Sequence, residues 1–228
     1  LSIIIFAYNE AENITPVLGE LRDWLTRYEP DFELVFVDDG SSDATLQTAR
    51  TALAGARAKF LRHEKNRGIG AALKTGVRAC EAPWVTFLPA DGQIAPGAIA
   101  TLRAAASDER VDVVMSTYVA RDDGFHRKLL SFGVRALIFA VHGVRMRSDG
   151  PYLFRRALFV PEQLVPDTFF LNFEFPIRVL AASRPTRNVE IECRPRRAGS
   201  SKSTGWKRIA GVAQDLVDLR LRRLREHW

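Results

Sequence analysis

Cysteine is scarce in this 228-residue chain, which carries only Cys80 and Cys193. Two thiols provide neither a disulfide framework nor a metal cluster, and they suit a reducing compartment. Any run of about 18 uninterrupted apolar residues is also missing, so the sequence predicts no membrane-spanning helix. No signal peptide is visible in the sequence given, and the cytoplasm is the expected location. A phosphate loop ending in Gly-Lys-Ser/Thr does not occur. The stretch "HEKNRGIGAALKTG" lacks the third glycine of a dinucleotide fingerprint and follows the third predicted strand instead of the first.

What is present describes a folded domain. Hydrophobic residues make up 46% and charged residues 26%, the balance of a globular protein able to bury a core, and the length predicts a single domain over 1–228. The net charge of +6 is concentrated at one end. Residues 194–228 hold ten Lys or Arg against three Asp or Glu, whereas the first 193 hold 23 against 24. Such a basic segment fits a phosphorylated substrate or an anionic membrane, which would make the protein peripheral on the cytoplasmic face. Nucleic acid is a poorer partner, since Trp206 stands without an aromatic series and no helix-turn-helix or zinc pattern occurs.

Apolar runs of strand length at about 1–6, 32–37, 58–62, 84–88 and 111–115 alternate with helical spacing around 17–25, 45–53, 70–80 and 97–106. That order predicts an α/β fold, a mostly parallel sheet with helices on both faces. Past Met115 the pattern changes. One or two amphipathic helices are expected at 125–142, a short strand near 152–156, a helix near 172–183, a strand near 187–193 and a final helix over 207–225.

Three motifs fall where strands end, the edge at which open α/β sheets bind ligands. In "FAYNEAENI", Asn9 and Glu10 precede a helix, with Asn9 and Glu12 spaced as a capping box. In "LVFVDDGSSDAT", Asp43 can cap the next helix, but a turn needs one acid at most. The pair Asp38 and Asp39 therefore points to a ligand rich in donors, such as ribose hydroxyls or a base N–H. In the third, Gly68 and Gly70 permit close backbone approach, and helix-start N–H groups suit an anion. A fourth strand end, "WVTFLPADGQIAP", places Asp91 and Gln93 behind a buried run. These two residues form an Asx turn or hold a hard divalent cation that clamps a diphosphate.

The constellation resembles the GT-A glycosyltransferases of family 2, in particular the polyprenyl-phosphate or dolichol-phosphate hexose synthases, and the resemblance runs over nearly the whole chain. "AYNEAENI", "VDDGSSDAT", "NRGIGAALKTG" and "ADGQIAP" carry it. The resemblance implies a GT-A, Rossmann-like domain with a nucleotide-sugar half (1–115), an acceptor half (116–193) and a basic terminal segment (194–228). It implies that Ala7, Tyr8, Glu10, Asp38, Asp39, Asn66, Gly70, Ala90, Asp91 and Gln93 bind the nucleotide sugar, and that Asp91 and Gln93 hold Mg²⁺ or Mn²⁺. "HRKLLS" points to Arg127 and Ser131, and "RPRRAGSSKST" to Arg196, Ser201 and Lys202, as contacts to donor or acceptor phosphates. Glu174 in "FLNFEF" lies at a family helix start and is counted with the donor residues.

Two positions depart from the family pattern. Pro89 stands where an Asp-Ala-Asp motif has its first acid, and "RMRSDGPYLFRR" is shorter than its family equivalent, with Asp149 as the acid available there. The implied reaction is inverting transfer of a hexose from a UDP- or GDP-linked donor to a polyprenyl phosphate. That acceptor is already anionic, so no strong base is needed. A family member acting on a hydroxyl would use Glu174 or Asp149 as base. A third reading is a catalytically silent nucleotide-sugar-binding module.

Overall fold

The computed structural model describes residues 1–29, 31–119, 125–195 and 206–226, with backbone alone for 125–131, 206–210 and 226. The first half alternates as predicted: β1 (Ser2–Ala7), α1 (Ala11–Tyr28), β2 (Glu33–Asp38), α2 (Thr45–Ala52), β3 (Ala58–Arg62), α3 (Ile69–Ala79), β4 (Trp84–Pro89), α4 (Gly97–Ala105) and β5 (Val113–Val119). The second half comprises α5 (Phe125–His142), β6 (Leu153–Arg155), α6 (Leu171–Ala181), β7 (Thr186–Glu192) and α7 (Trp206–Glu226). The segment expected to form one or two amphipathic helices forms one, α5.

Among the described residues seven strands join one sheet in the order β3-β2-β1-β4-β6-β5-β7. β6 runs antiparallel to both its neighbours, and every other pairing is parallel. The order reverses beside β1: β2 and β3 lie on one side and β4 on the other. In a parallel sheet this switch opens a crevice at the carboxyl ends of the central strands.

Side-chain alternation explains why the central strands are apolar throughout. Ile4, Val35, Val37, Val85 and Phe87 face α3 and α6, where Leu73, Val77, Leu171 and Phe175 cover them. Ile3, Ile5, Leu34 and Phe36 face the other way, against Ile14, Leu18 and Leu21 of α1 and Ile99 of α4. Covering both faces leaves only the strand ends for polar function. A separate cluster of Ile138, Met146, Phe170, Ile177, Leu216 and Leu219 packs α5, α6 and α7 together.

The amino-terminal edge of the sheet is closed by one buried acid. Glu33 Oε1 accepts bonds from the Ser2 hydroxyl and from the N–H groups of Glu81 (2.5 Å) and Ala82 (3.2 Å), and Lys59 lies 3.4 Å from Oε2. Burial by itself would raise this carboxyl. The hydrogen bonds from Ser2, Glu81 and Ala82, with the Lys59 charge, outweigh it and hold the pKa at about 2. Because the folded value lies below the ordinary 4.5, the group stabilises the fold fully above that pH, and the contribution is lost as pH falls toward 2. Glu33→Gln is therefore expected to cost about 2 kcal/mol at pH 7. Urea unfolding followed across pH would show the two proteins converging as the solution is acidified from about 4.5 toward 2.

Candidate active site

The crevice at the strand switch is a cleft of about 190 Å³ lined by Ala7, Tyr8 and Glu10 after β1, Asp39 after β2, Asn66, Gly68 and Ile69 before and at the start of α3, and Ala90 and Asp91 after β4. One water occupies only ~30 Å³, so the space suits part of an organic ligand. Seven residues expected to bind a nucleotide sugar from sequence thus share one wall: Ala7, Tyr8, Glu10, Asp39, Asn66, Ala90 and Asp91.

Carboxylates bonded to backbone N–H groups hold the loops of this cleft in place. Asp43 Oδ1 accepts from the Thr45 N–H (2.9 Å) and hydroxyl, and Oδ2 accepts from the Ala11 N–H at 3.2 Å. One side chain therefore serves the first turns of both α1 and α2. Burial pushes its pKa upward, but the bonds from Thr45 and Ala11 prevail and hold the carboxyl below its ordinary range. Asn9 does not cap α1 as the sequence suggested. It adopts φ 52° and turns its side chain across to the Ser42 N–H at 2.8 Å, because Asp43 already supplies the cap.

Asp39 ties the third loop. Oδ1 accepts from the Arg67 N–H at 2.9 Å and lies 2.6 Å from His63 Nδ1, and Oδ2 accepts from the Gly68 N–H at 2.8 Å. Asp38 faces inward. Its Oδ1 accepts from the Ser41 N–H at 3.0 Å and its Oδ2 lies 3.3 Å from Arg62 Nε, so it shapes the turn and lies outside the cleft wall. Gly40 makes that turn possible: its φ is 74°, and an added Cβ would lie 2.3 Å from the Lys65 carbonyl carbon.

Three other residues expected to bind the donor lie elsewhere. Gly70 admits protein backbone instead of a ligand, since a Cβ there would meet Thr168 O at 2.6 Å and Asp167 O at 2.8 Å. The N–H of Ala71, expected to face an anion, donates to the Asp167 carbonyl at 3.1 Å. Gln93 donates its backbone N–H to Asp91 Oδ1 at 3.0 Å, the Asx-turn geometry, and sends its amide toward Cys193 Sγ at 4.0 Å. Its side chain is thus not brought to the cleft beside Asp91. Glu174 is fully buried at the start of α6, 2.9 Å from Arg178 and 3.4 Å from Arg222 of α7. Asp149, the other base considered for a hydroxyl acceptor, pairs with Arg135 at 2.5 Å. Arg127 and Ser131 lie on the α5 backbone, and their side chains are outside the described residues, as are Arg196, Ser201 and Lys202.

Sequence reasoning missed His63, Thr75, Lys74 and Asp167. Asp167 Oδ1 lies 3.0 Å from the buried Lys74 Nζ and Oδ2 lies 3.3 Å from Arg67, which seats the 165–168 loop over α3. Burial raises the Asp167 carboxyl, but the bonds and charges of Lys74 and Arg67 prevail and hold it low. A lysine at an apolar position of a predicted helix was the available signal, although only the fold names its partner.

A mostly parallel sheet with acids and loop N–H groups gathered at its switch point defines an α/β domain with its candidate site at the strand ends. The chain belongs to glycosyl transferase family 2, whose family model matches residues 2–171. It is 28% identical over 153 residues to a dodecaprenyl-phosphate galacturonate synthase of Rhizobium johnstonii, covering 66% of this chain and 45% of that protein. It is 29% identical over 224 residues to an undecaprenyl-phosphate 4-deoxy-4-formamido-L-arabinose transferase of Pseudomonas fluorescens, covering 95% of this chain and 64% of that protein. This chain therefore spans less than two thirds of either relative. Glucosyl-3-phosphoglycerate synthase of Mycobacterium tuberculosis, solved with Mn²⁺, UDP-glucose and phosphoglyceric acid, superposes with a TM-score of 0.72 at 20% identity, over 97% of this chain and 78% of that one. That likeness establishes the GT-A fold.

The seating of the 165–168 loop gives a test by contrast. Alanine is ordinarily favoured over glycine inside a helix by about 1 kcal/mol. Gly19→Ala in α1, where a Cβ meets nothing within 4 Å, is expected to raise the thermal midpoint. Gly70→Ala should lower it, because overpacking against backbone costs about 1–3 kcal/mol. Calorimetric melting of the two variants checks both signs.

Proposed function

We propose that this domain transfers a sugar from a nucleoside-diphosphate donor to the phosphate of a polyprenyl lipid, with inversion at the anomeric carbon. The observation that carries the choice of acceptor is that Glu174 and Asp149, the two acids a hydroxyl acceptor would call on as base, are ion-paired outside the cleft wall. A phosphate oxygen needs no such base. It attacks the anomeric carbon as the bond to the nucleoside diphosphate breaks, and catalysis reduces to alignment and charge stabilisation. The named activities of the two curated relatives, both polyprenyl-phosphate sugar transferases, support the same reading.

Asp91 is the residue suited to a divalent cation. It lines the cleft, and its Oδ1 orientation is fixed by the Gln93 N–H. Among the described residues no group of three or more His, Cys, Asp or Glu could hold a metal by itself. A hard cation such as Mg²⁺ ordinarily takes one or two carboxylates and completes its shell with water and substrate phosphate. Asp91 fits that mode, and the cation would neutralise charge on the departing diphosphate. The M. tuberculosis synthase, crystallised with Mn²⁺ or with Mg²⁺ and UDP, supports this cofactor class.

Arg127, Ser131, Arg196 and Lys202 are proposed to hold the acceptor phosphate. In support, the chain leaves β7 against the Asp91 loop, with the Arg194 N–H donating to the Gln93 carbonyl at 2.8 Å. For the lipid, α7 exposes Val217, Leu221 and Leu224, spaced to form one stripe, and α5 exposes Phe132 and Phe139. Arginines beside them at 220 and 225 suit an anionic leaflet. Among the described residues no helix is long and apolar enough to cross a membrane.

Incubation with a panel of UDP- and GDP-sugars and a short polyprenyl phosphate is expected to yield a lipid-linked sugar from one donor. Glycosylation only of hydroxyl acceptors would refute the assignment. With the active donor, Asp91→Asn should lower turnover by at least about 100-fold, and EDTA should abolish it until Mg²⁺ or Mn²⁺ is returned. Full activity in EDTA would remove the metal from the scheme. Flotation with vesicles is expected only when anionic lipid is present, and flotation indifferent to lipid charge would contradict the basic surface.

A further inference from the structure

His63 and Thr75 complete a chain of side-chain hydrogen bonds that ends at the cleft. His63 follows β3, its N–H donating to the Asp38 carbonyl at 2.9 Å, and its ring is 7% exposed. Nδ1 lies 2.6 Å from Asp39 Oδ1, and Nε2 lies 2.9 Å from Thr75 Oγ1 on α3. A carboxylate can only accept, so Nδ1 carries the proton in either charge state of the ring. The Thr75 hydroxyl serves both states, donating to a bare Nε2 or accepting from a protonated one.

A count of acceptor positions shows what this chain does to Asp39. Oδ1 takes two bonds, from the Arg67 N–H and from His63. Oδ2 takes one, from the Gly68 N–H, and retains one further lone-pair position. Asp39 is also the member of the Asp38–Asp39 pair that lines the cleft. Its carboxylate is thus gripped on Oδ1 from both the loop and the ring, which fixes the rotamer and leaves Oδ2 to meet a ligand.

We infer that His63, held by Thr75, is a positioning residue for nucleoside recognition: it locks Asp39 so that Oδ2 accepts from a hydroxyl or N–H of the donor's nucleoside. The inference rests on the proposed function and specifies how its donor is held. A planar ring reaches from β3 to both Asp39 and Thr75, whereas a leucine in its place would leave Oδ1 one bond short. Asparagine would return a donor near the Nδ1 position and forgo the bond to Thr75. The effect belongs to donor binding, because the ring bonds Asp39 and Thr75 and does not itself line the cleft.

Titration calorimetry of the full chain with UDP and with GDP tests this, alongside donor KM, kcat and thermal midpoints. The nucleotide that binds the unsubstituted protein should bind His63→Leu at least about tenfold more weakly. Donor KM should rise in step while kcat at saturating donor stays within about twofold. His63→Asn should recover part of the affinity, and Thr75→Val should weaken binding by about threefold, with Thr75→Ser restoring it. If His63→Leu fails to fold, the Thr75 pair decides the matter by the same readouts. Nucleotide affinity unchanged in folded variants, or kcat falling while affinity holds, would overturn the positioning role and leave the proposed function intact. Failure of the unsubstituted protein to bind either nucleotide would instead remove the proposed function, and this inference with it.

Discussion

The bond from a buried carboxylate to the N–H groups of a neighbouring loop is the constraint on which this cleft depends. Four strand-to-helix connections meet at the sheet switch, and each begins with backbone donors that the sheet and helices leave unpaired. Asp43 satisfies the starts of α1 and α2 together, and Asp39 satisfies Arg67 and Gly68 ahead of α3. The loops are therefore fastened to one another across the sheet end. Their common wall is fixed by the protein itself before any ligand arrives, which reduces the ordering a ligand must impose.

This arrangement also separates two roles that look alike in sequence. Of two adjacent acids, strand alternation sends Asp38 toward Ser41 and Arg62 and leaves Asp39 at the cleft. Of two polar residues after β4, Asp91 lines the cleft while Gln93 is turned to Cys193. In the second half of the chain two acids are engaged in ion pairs: Glu174 unites α6 with α7, and Asp149 is held by Arg135 of α5. The scaffold thus brings polar residues to the cleft wall and uses Glu174 and Asp149 to join elements away from it.

The strands and helices were legible because hydrophobic period alone distinguishes them, and β1 through β4 lie close to the positions read from apolar runs. The cleft was legible through residues that a plain turn does not require, such as the second acid of Asp38–Asp39 and the acid directly behind β4. Glycine was misread in part. Gly68 and Gly70 do mark close backbone approach, but what approaches is the 165–168 loop, about a hundred residues away in sequence. His63 and Thr75 were silent for the same reason: twelve residues separate them, on a strand end and a helix, and only the fold makes them neighbours. Motifs reveal local chemistry, whereas partners supplied from afar need topology.

The protein's own carboxylates, and not a bound ligand, hold the cleft loops in place. Residue-resolved amide hydrogen exchange of the ligand-free chain tests it most directly. The N–H groups of Ser41, Arg67 and Gly68 should be protected with no nucleotide present, with protection of Arg67 and Gly68 lost in Asp39→Ala. Exchange of these amides at open-chain rates until a nucleoside diphosphate is added would contradict the account.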